Sequence, residues 1–437
     1  MKKALVIGFG VSGKGAVQLL LRQGIEVSVY SDGKLDLTDY PEVKNVSAVS
    51  EYEAVADKDV VVVSPSVECT HKIVEYAQRF NIPVIGEIEL AYRYCKGGII
   101  AITGTNGKTT TTKLINEIVN ASEKKGYALG NIGESFCAYA DQIQSDEIAV
   151  VEVSSFQLET IKEFRPRIAA CLNITPDHFE RHKCLENYAM AKFNVFINQG
   201  LGDCAILNYD DQVVRDFYDG ISSEVYFTSV KTPVKGAYVS DGSIIVDIDG
   251  KYEFMPLDEI PLKGDYNYLN VMTAILACKL IGVEDNYIKN AIKAFRLPRY
   301  RNEFIGEVKG IEFFNDSKAT NIDSTLKACN SMQGDTSLIV GGYDKGIAYD
   351  GFFPNLPQNI KHIIATGDNV YSIMQFLPSY HEYTFEVTSS LERAVELAMQ
   401  KPVKNVLFSP TTSSFDRYSS YVERGEHFDM IIASLKN

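Results

Sequence analysis

Short apolar runs alternate with stretches of helical spacing along almost the whole chain, and no other feature limits the possible folds as strongly. Continuous apolar runs of this length are typical of strands that are buried on both faces. A repeated strand–helix–strand order predicts parallel sheets covered by helices, which is an α/β fold. The runs are KALVI, IEVSVY, DVVVVSP, IIAITG, EIAVVEVS, IAACLNI and DCAILN, followed later by SLIVGG, HIIATG and NVLFSP.

The chain has 437 residues, more than one ordinary hydrophobic core accommodates, so several domains are expected. Two segments have the character of joints, YRYCKGG at 92–98 and AFRLPRYRNEF at 294–304. We therefore predict three α/β domains in series, at 1–92, 93–296 and 297–437. Short alternating pieces between about 225 and 262, beginning with VYFTSV, predict a small antiparallel insert in the middle domain.

Two helices can be placed from their spacing. The segment 108–121 should bury Leu114, Ile118 and Val119. The segment 285–295 should begin with Asp285 as its cap and bury one stripe of apolar side chains. The residues of this stripe are Ile288, Ala291, Ile292 and Phe295.

The acidic balance of the chain excludes some classes of partner. With 43 basic and 57 acidic residues the formal net charge is −14, which disfavours general binding to nucleic acid or anionic lipid. No apolar run reaches the roughly 20 residues of a membrane-spanning helix, and the opening MKKALVIGFG fits a first strand better than a secretion signal. The eight cysteines show no C-x-x-C pair, which indicates reduced, mostly buried thiols in a cytosolic protein.

A first glycine-rich loop, GFGVSG at 8–13, follows the strand KALVI directly and opens a helical segment. The next strand ends near Asp32, about twenty residues further on. Together these features form the dinucleotide-type fingerprint, in which backbone amides and a helix N-terminus face a pyrophosphate. The alternative is a glycine turn that serves only to pack a helix on a strand.

A second loop lies between the strand IIAITG and the helix that begins near Lys108. Gly104 and Gly107 enclose Thr105 and Asn106, so that consecutive amides can form an anion-binding nest. Lys108 can reach phosphate oxygens, and the hydroxyl of Thr109 can bind magnesium. The usual outer glycine of a P-loop is Ile102 here, so the loop is shorter but keeps these chemical groups.

Polar residues follow the next two strands of the middle domain. Glu152 lies within the apolar run AVVEVSSFQLE, where an unpaired carboxylate would be costly to bury and a metal ion would offset that cost. Asp177 and His178, in NITPDHFERH, should emerge at the same sheet edge as the loop 104–109. The alternative for Glu152 is an outward-facing acid on an edge strand, and lone histidines are usually structural.

The motifs GTNGKTT, VEVSSFQLE, NITPDHFERH, NDSKATN and SPTTSSFDRYSSYVERGEHF together resemble those of the Mur ligases, and the last two resemble the D-glutamate-adding branch of that family. The resemblance spans all three predicted domains. It implies a Rossmann-like N-terminal domain for a UDP-sugar, a P-loop-type central domain for ATP and a Rossmann-like C-terminal domain for the amino acid. It also explains two phosphate loops in one chain, and the shortened second loop is the usual form in this family.

The resemblance further implies an enzyme, an ATP-dependent acid–amino-acid ligase of peptidoglycan precursor synthesis. Its substrates would be UDP-N-acetylmuramoyl-L-alanine, D-glutamate and ATP, and two Mg²⁺ ions would assist an acyl-phosphate mechanism. The expected setting is a cytoplasmic monomer that binds no nucleic acid and does not insert into membranes.

Site residues carried over from the resemblance fall into four groups. ATP would contact the second phosphate loop, two asparagines and two residues of the last domain: Gly104, Thr105, Asn106, Gly107, Lys108, Thr109, Thr110, Asn267, Asn270, Arg301 and Asp316. Magnesium would be held by Thr109, Glu152, His178 and, once carbamylated, Lys192, while Lys108, His178 and Lys192 are the catalytic candidates. The UDP-sugar would contact Gly10, Val11, Ser12, Ser31, Asp32, Ser64 and Asn131.

The fourth group would bind D-glutamate and consists of Lys318, Thr320, Lys345, Ser414 and Tyr421. Lys318 and Thr320 occupy alternate positions, so an extended segment would project them together. A dicarboxylate needs a cation and several neutral donors, and this set contains both. The alternative for Ser414 and Tyr421 is capping and packing around a C-terminal helix.

Four other functions compete with this interpretation. Ligases that add a diamino acid usually carry an Asn-Pro-Arg type signature, which this sequence lacks. Folylpolyglutamate synthase shares the ATP-binding core but does not need the GFGVSG domain. An NAD-dependent oxidoreductase would leave Lys108, Glu152 and His178 without a role, and a non-catalytic nucleotide-binding regulator would not need the amino-acid residues.

Overall fold

The computed structural model describes residues 1–33, 35–297, 299–379 and 383–436, and every element named below lies within these ranges. The chain forms two compact units, 1–296 and 297–437, and its strands form three sheets. The predicted α/β class is therefore confirmed. Pro298, the proline of the predicted joint, lies outside the described residues.

The first sheet is parallel and has the strand order β3-β2-β1-β4-β5. Its strands are β1 (Lys3–Ile7), β2 (Glu26–Tyr30), β3 (Lys44–Asn45), β4 (Val60–Val63) and β5 (Val84–Gly86). Its helices are α1 (Val11–Arg22), α2 (Glu51–Val55), α3 (Lys72–Arg79) and α4 (Glu87–Tyr92). All four valines of β4 are buried, as expected for a central parallel strand.

The second sheet belongs to the same compact unit and has the order β14-β13-β12-β11-β10-β9-β6-β8-β7. Its strands are β6 (Gly98–Thr103), β7 (Gly126–Gly130), β8 (Ile148–Glu152), β9 (Ile168–Cys171), β10 (Cys204–Asn208), β11 (Glu224–Ser229), β12 (Gly236–Ser240), β13 (Ser243–Asp247) and β14 (Lys251–Pro256). Its helices are α5 (Lys108–Ala121), α6 (Phe136–Tyr139), α7 (Ser155–Leu158), α8 (Phe179–His182), α9 (Leu185–Phe193), α10 (Gln212–Phe217), α11 (Asp265–Leu280) and α12 (Asp285–Ala294).

The third sheet forms the core of the second unit and has the order β15-β16-β20-β17-β18-β19. Its strands are β15 (Glu303–Val308), β16 (Ile311–Asn315), β17 (Thr336–Val340), β18 (Ile360–Ala365), β19 (Thr384–Val387) and β20 (Asn405–Phe408). Its helices are α13 (Ile322–Ser331), α14 (Val370–Met374), α15 (Leu391–Met399) and α16 (Tyr421–Ser434). Only β15 runs antiparallel to its neighbour among the described strands of this sheet.

The antiparallel insert is smaller than predicted. β11 pairs in parallel with both β10 and β12, so the run VYFTSV continues the main sheet. The antiparallel part consists of β12, β13 and β14 at one edge of that sheet. β11 reads EVYFTS and lacks the continuous aliphatic run of the other parallel strands, so the sequence pattern placed it in the wrong group.

The predicted helices have their apolar stripes buried, but Asp285 is not the cap. The N-cap residue of α12 is Glu284, whose side chain makes no capping bond. The carboxylate of Asp285 instead accepts hydrogen bonds from the Lys279 ammonium at 2.6 Å and from the Tyr252 hydroxyl at 2.8 Å. A salt bridge to the preceding helix thus competes successfully with local capping.

All eight cysteines are free thiols. Cys137, Cys171, Cys278 and Cys329 are buried, three others are partly buried, and Cys69 is exposed. Burial raises the pKa of the Cys171 thiol to about 12, which keeps it protonated and unreactive.

Candidate active site

The second phosphate loop connects β6 to α5 and is held in shape by the segment that follows β9. The backbone amides of Thr105 and Asn106 each donate at 2.8 Å, to the carbonyl oxygen and the side-chain oxygen of Asn173 respectively. Gly107 has φ of 89°, and a Cβ there would lie 2.4 Å from the side-chain oxygen of Asn270. Both the left-handed backbone and the close approach of α11 therefore require glycine.

Two lysine ammonium groups converge on this loop. The Nζ of Lys108 donates to the carbonyl oxygens of Gly104 and Thr105, each at 2.8 Å. The Nζ of Lys192, on α9, donates to the same Gly104 oxygen at 2.8 Å. Two lysine Nζ groups therefore donate to one carbonyl oxygen, which makes this loop suited to a polyphosphate.

Lys192 is buried, with 1% of its surface exposed, and its ammonium also lies 4.5 Å from the centre of the Tyr188 ring. Burial lowers the pKa of Lys192 well below its usual range, and the nearby charge of Lys108 lowers it further. A lowered pKa raises the share of lysine that is present as the neutral amine, which is the nucleophilic form.

Glu152 ends the inner strand β8 and is only 2% exposed. The alternative of an outward-facing acid on an edge strand is therefore wrong, since β8 lies between β6 and β7. One carboxylate oxygen accepts a hydrogen bond from the Asn131 amide at 3.0 Å, and the other is buried without a hydrogen-bond partner. An unpartnered buried carboxylate oxygen has the chemistry of a cation ligand.

His178 immediately precedes α8 and adopts a left-handed backbone with φ of 56°. About a third of its side chain is exposed, its Nδ1 lies 3.2 Å from a carboxylate oxygen of Glu180, and its backbone amide donates to Asp177 at 3.0 Å. Its ring centre is 4.9 Å from that of Phe156. His178 is thus an accessible ring on the same edge of the sheet as the loop 104–109.

The predicted asparagine pair lies at the start of α11, as expected. Asn267 and Asn270 are 3% and 4% exposed. The amide of Asn267 donates to the carbonyl of Lys263 at 2.9 Å, and Asn270 packs against Gly107. Thr109 is partly buried and Thr110 is buried in the first turn of α5.

The first glycine-rich loop borders a cavity of about 700 Å³. A Cβ on Gly13 would lie 2.0 Å from the carbonyl oxygen of Gly8, so α1 packs directly on the loop. This accounts for the third glycine of the motif, and the N-terminus of α1 faces the cavity as an anion site requires. The predicted residues that line it are Gly10, Val11, Ser12, Ser31, Asp32 and Ser64.

Asn131 alone among the predicted UDP-sugar residues lies outside this cavity lining. Its amide instead contacts Glu152. Conversely, Thr70 and His71 line the cavity and were missed, because each is a single polar residue at a helix start. The Nε2 of His71 lies 3.6 Å from a carboxylate oxygen of Asp32. This contact would have identified His71 as a candidate, but it is visible only in the folded structure.

In the second unit Asp316 directly follows β16, and both of its carboxylate oxygens accept hydrogen bonds. The donors are the backbone amide of Asn302 at 3.0 Å and the Ser409 hydroxyl at 2.7 Å. Burial raises the pKa of Asp316 to about 7, and the charge of Arg301 acts in the opposite direction.

The predicted amino-acid residues lie on segments that the structure brings together within this unit. The ammonium of Lys318 is 3.9 Å from the centre of the Tyr421 ring, and that of Lys345 is 3.4 Å from the carbonyl oxygen of Thr320. Ser414 is 2% exposed. Arg424, missed in the sequence, donates to the Ser317 hydroxyl at 3.1 Å and to the Ser413 carbonyl at 3.0 Å, and so joins the two segments.

One local expectation for this unit was wrong. The segment with Lys318 and Thr320 is a turn rather than an extended stretch, because the amide of Ala319 donates to the Asp316 carbonyl at 2.8 Å. Lys318 and Thr320 are nevertheless both partly exposed, with the buried Ala319 between them. Tyr421 is the first residue of α16, and the N-cap of that helix is Ser420.

Within residues 1–33, 35–297, 299–379 and 383–436, no three His, Cys, Asp or Glu side chains are grouped as a metal site would group them. A metal ion at Glu152 would therefore take much of its coordination from substrate oxygens and water, as Mg²⁺ commonly does. The same described ranges contain no helix that is both long and apolar enough to cross a membrane.

The chain matches known proteins over its full length. Residues 2–86 match the MurD-like N-terminal domain of the Mur ligases, and residues 102–278 match the Mur ligase middle domain. The chain is 38% identical to the UDP-N-acetylmuramoylalanine–D-glutamate ligase of Alkaliphilus oremlandii, covering 100% of this chain and 99% of that protein. It is 39% identical to the protein of the same name from Koribacter versatilis, over 99% and 98% of the two chains.

Solved structures show the same fold at lower identity. A pseudomurein peptide ligase type C from Methanothermus fervidus superposes with a TM-score of 0.64 at 18% identity, over 100% of both chains. UDP-N-acetylmuramate-alanine ligase MurC from Thermotoga maritima gives a TM-score of 0.60 at 17% identity, over 99% of this chain and 100% of that one.

Proposed function

The chain belongs to the Mur ligase family, and we propose that it catalyses the reaction named for its closely matching relatives, the ATP-dependent joining of D-glutamate to UDP-N-acetylmuramoyl-L-alanine. The observation that carries the proposal is the convergence of Lys108 and Lys192 on the Gly104 carbonyl, beside the buried and half-partnered carboxylate of Glu152. This arrangement suits a triphosphate with an associated cation.

The chemistry follows from leaving groups. A carboxylate does not acylate an amine at neutral pH, because oxide would have to leave. Transfer of the γ-phosphoryl group of ATP to an oxygen of the L-alanyl carboxylate releases ADP and forms an acyl phosphate. The deprotonated amine of D-glutamate then attacks the carbonyl carbon of the acyl phosphate and forms a tetrahedral intermediate. When this intermediate collapses, phosphate leaves and carries one of the original carboxylate oxygens.

The loop 104–110 is the proposed ATP site. Backbone amides at the N-terminus of α5 and the ammonium of Lys108 bind the β- and γ-phosphates, since the amides of Thr105 and Asn106 donate to Asn173. Negative charge on the transferring phosphoryl group is thereby stabilised where it develops. Lys108 would exchange its two carbonyl partners for phosphate oxygens. Asn267 and Asn270 are proposed to lie beside the adenine, and Arg301 and Asp316 are further proposed ATP contacts.

The residues present fit magnesium. Glu152 offers a buried oxygen without a partner, and the Thr109 hydroxyl is a hard oxygen ligand in the first turn of α5. We propose two Mg²⁺ ions, the first held by Thr109 and Glu152 and the second by His178 together with Lys192 in carbamylated form. When bound, these cations would neutralise phosphate and carboxylate oxygens that otherwise repel one another.

Lys192 is suited to carbamylation because its pKa is lowered by burial. The neutral amine adds to the carbon of CO₂ and loses a proton, which yields a carbamate anion. The change replaces a basic amine beside Lys108 with an anion, which the Lys108 ammonium attracts.

We assign the cavity beside Gly8–Gly13 to the diphosphate and nucleoside of the UDP-sugar. Asn131, through its contact with Glu152, would lie where this substrate meets the reaction centre. Lys318, Thr320, Lys345, Ser414 and Tyr421 are the proposed D-glutamate residues, with the two lysines serving its carboxylates. We place the enzyme in the cytoplasm as a monomer, and we divide it into substrate, ATP and amino-acid domains at 1–92, 93–296 and 297–437.

Amino-acid selectivity tests this function. The purified protein is incubated with UDP-N-acetylmuramoyl-L-alanine, ATP and Mg²⁺, and phosphate release is measured with D-glutamate, L-glutamate, L-lysine or diaminopimelate. Release is expected with D-glutamate alone. Release with a diamino acid instead would assign the chain to another branch of the family, and nicotinamide binding without ATP hydrolysis would exclude the family's reaction.

A further inference from the structure

Arg181, on α8, connects the surroundings of the two phosphate loops. Its guanidinium donates to both carboxylate oxygens of Glu159, with the shortest contact at 2.5 Å. It also donates to the carbonyl oxygens of Pro65 at 2.7 Å and of Val67 at 3.3 Å. Its side chain is 12% exposed, so these bonds are shielded from water.

The two ends of this connection belong to different sheets. Pro65 and Val67 follow β4 in the first sheet and line the 700 Å³ cavity. Glu159 follows α7, which begins three residues after Glu152 at the end of β8 in the second sheet. Arg181 itself is three residues beyond His178.

Further contacts hold Arg181 in one position. The guanidinium carbon lies 4.5 Å from the centre of the Phe156 ring, and that ring also contacts His178 with 4.9 Å between ring centres. His182, next along α8, has its Nε2 2.9 Å from the hydroxyl oxygen of Ser155. A bidentate pair with additional carbonyl acceptors defines both distance and orientation.

Ser155, His182 and Glu159 are in contact in that order, but they do not form a nucleophilic site. The Nδ1 of His182 is 3.6 Å from Glu159, which gives the order of a serine hydrolase triad. Ser155, however, is 2% exposed and lies in the first turn of α7, so its hydroxyl is closed to a substrate. Burial lowers the pKa of His182 and keeps the ring neutral, as a structural hydrogen-bond partner.

A substrate that carries its nucleotide at one end and its reacting carboxylate at the other must reach from the cavity to the reaction centre. We propose that Arg181 is a positioning residue that fixes the distance between the UDP cavity and the His178–Glu152 edge, and thereby sets the length of acid substrate that can be phosphorylated. This inference rests on the proposed function. It adds Arg181, which is not among the residues proposed to contact ATP, the UDP-sugar or D-glutamate. Arg181 touches neither phosphate loop, so its effect passes through the segment 64–67.

Arg181→Met tests this role in the full chain. We measure kcat and KM for UDP-N-acetylmuramoyl-L-alanine, KM for ATP, and the Kd for UDP alone, which occupies only the cavity. The KM for the complete substrate should rise by at least about tenfold, while the KM for ATP and the Kd for UDP stay within about threefold of the wild type. Arg181→Lys keeps the charge but cannot bind a carboxylate and two carbonyls together. If the methionine variant does not fold, the lysine variant should show the same raised KM for the complete substrate with unchanged constants for ATP and UDP.

Arg22 provides a matched control. It joins α1 of the first sheet to the segment 137–141 with the same types of bond, to both carboxylate oxygens of Asp141 and to the carbonyls of Cys137 and Ala138. Arg22→Met should lower thermal stability without changing the KM for the complete substrate. A KM within about threefold of wild type in the Arg181 variants, or an equal rise in the ATP and UDP constants, would overturn the inference. Because the wild type is assayed first, failure of the proposed function would show as absent turnover before any variant is compared.

Discussion

Lys108 and Lys192 show at the scale of single residues what the sequence could and could not predict. Lys108 was identified from its place after two glycines at the start of a helix, a local pattern with a direct chemical meaning. Lys192 has the appearance of an ordinary helix lysine in the sequence, and only the resemblance singled it out. Its position at the phosphate loop depends on burial and on a bond to the Gly104 oxygen, 88 residues away, which no local pattern encodes.

Lys108→Ala should reduce kcat by about 10³-fold or more while the protein remains folded, because a donor to the transferring phosphoryl group is lost. Lys113→Ala, further along the same helix, is the matched control and should keep nearly normal turnover. Steady-state phosphate release and circular dichroism measure both effects. Near-normal rates for Lys108→Ala would contradict the assignment of the loop.

Glu87 predicts a pH dependence of stability. Burial raises its carboxyl pKa from 4.5 to about 7, although hydrogen bonds from Gln157 and Ser135 act in the opposite direction. The group therefore contributes stability that is complete below pH 4.5 and is lost as the pH rises through 7, a difference of roughly 3 kcal/mol. Glu87→Gln should have nearly the wild-type Tm at pH 5 and a higher Tm than wild type at pH 8.

Glu89, on the same helix, is the control for this measurement. Its carboxylate accepts hydrogen bonds from the backbone amides of Lys162, Glu163 and Phe164 at 2.8, 2.9 and 2.9 Å. Glu89→Gln should therefore lower the Tm at both pH values, since an amide cannot replace the charged acceptor. If the difference in Tm between Glu87→Gln and the wild type is the same at pH 5 and at pH 8, Glu87 does not titrate in this range.

At the scale of elements, continuous apolar runs were reliable and alternating ones were not. Each of the ten quoted runs contains a strand, because a parallel strand buried on both faces leaves few other interpretations. β11 was misplaced since its sequence EVYFTS lacks the continuous aliphatic run that marks the other parallel strands. Asp285 was misplaced because a lysine on the preceding helix competes for its carboxylate.

The first glycine-rich loop gives a prediction at this scale. In Gly13→Ala the new methyl group would meet the backbone oxygen of Gly8 at 2.0 Å, so α1 must move away from the loop. The variant should have a lower Tm and bind UDP more weakly. Gly10 has φ of −76° and no atom within 4 Å of a Cβ built there, so Gly10→Ala should leave the Tm unchanged. Equal Tm values for the two variants would argue against this packing.

At the scale of the whole molecule, the division near 296 is visible in the sequence, while the relation between the first two sheets is not. Both sheets belong to one compact unit and contribute to one apolar cluster that includes Val6, Ile88 and Val151. Glu87 and Glu89 tie α4 to residues about 70 positions away. In the sequence, two carboxylates on a linker are expected to be surface charges, so this connection between the sheets could not be predicted. The domain boundary at 92 stays a prediction.

The central claim is that ATP is consumed in making an inert carboxylate electrophilic, and an isotope label follows the relevant atom directly. UDP-N-acetylmuramoyl-L-alanine labelled with ¹⁸O in its alanyl carboxylate is converted with ATP and D-glutamate, and the released phosphate is analysed by mass spectrometry. An acyl-phosphate route places one labelled oxygen in each phosphate formed. Phosphate without label, in a reaction that still yields the amide, would contradict the account.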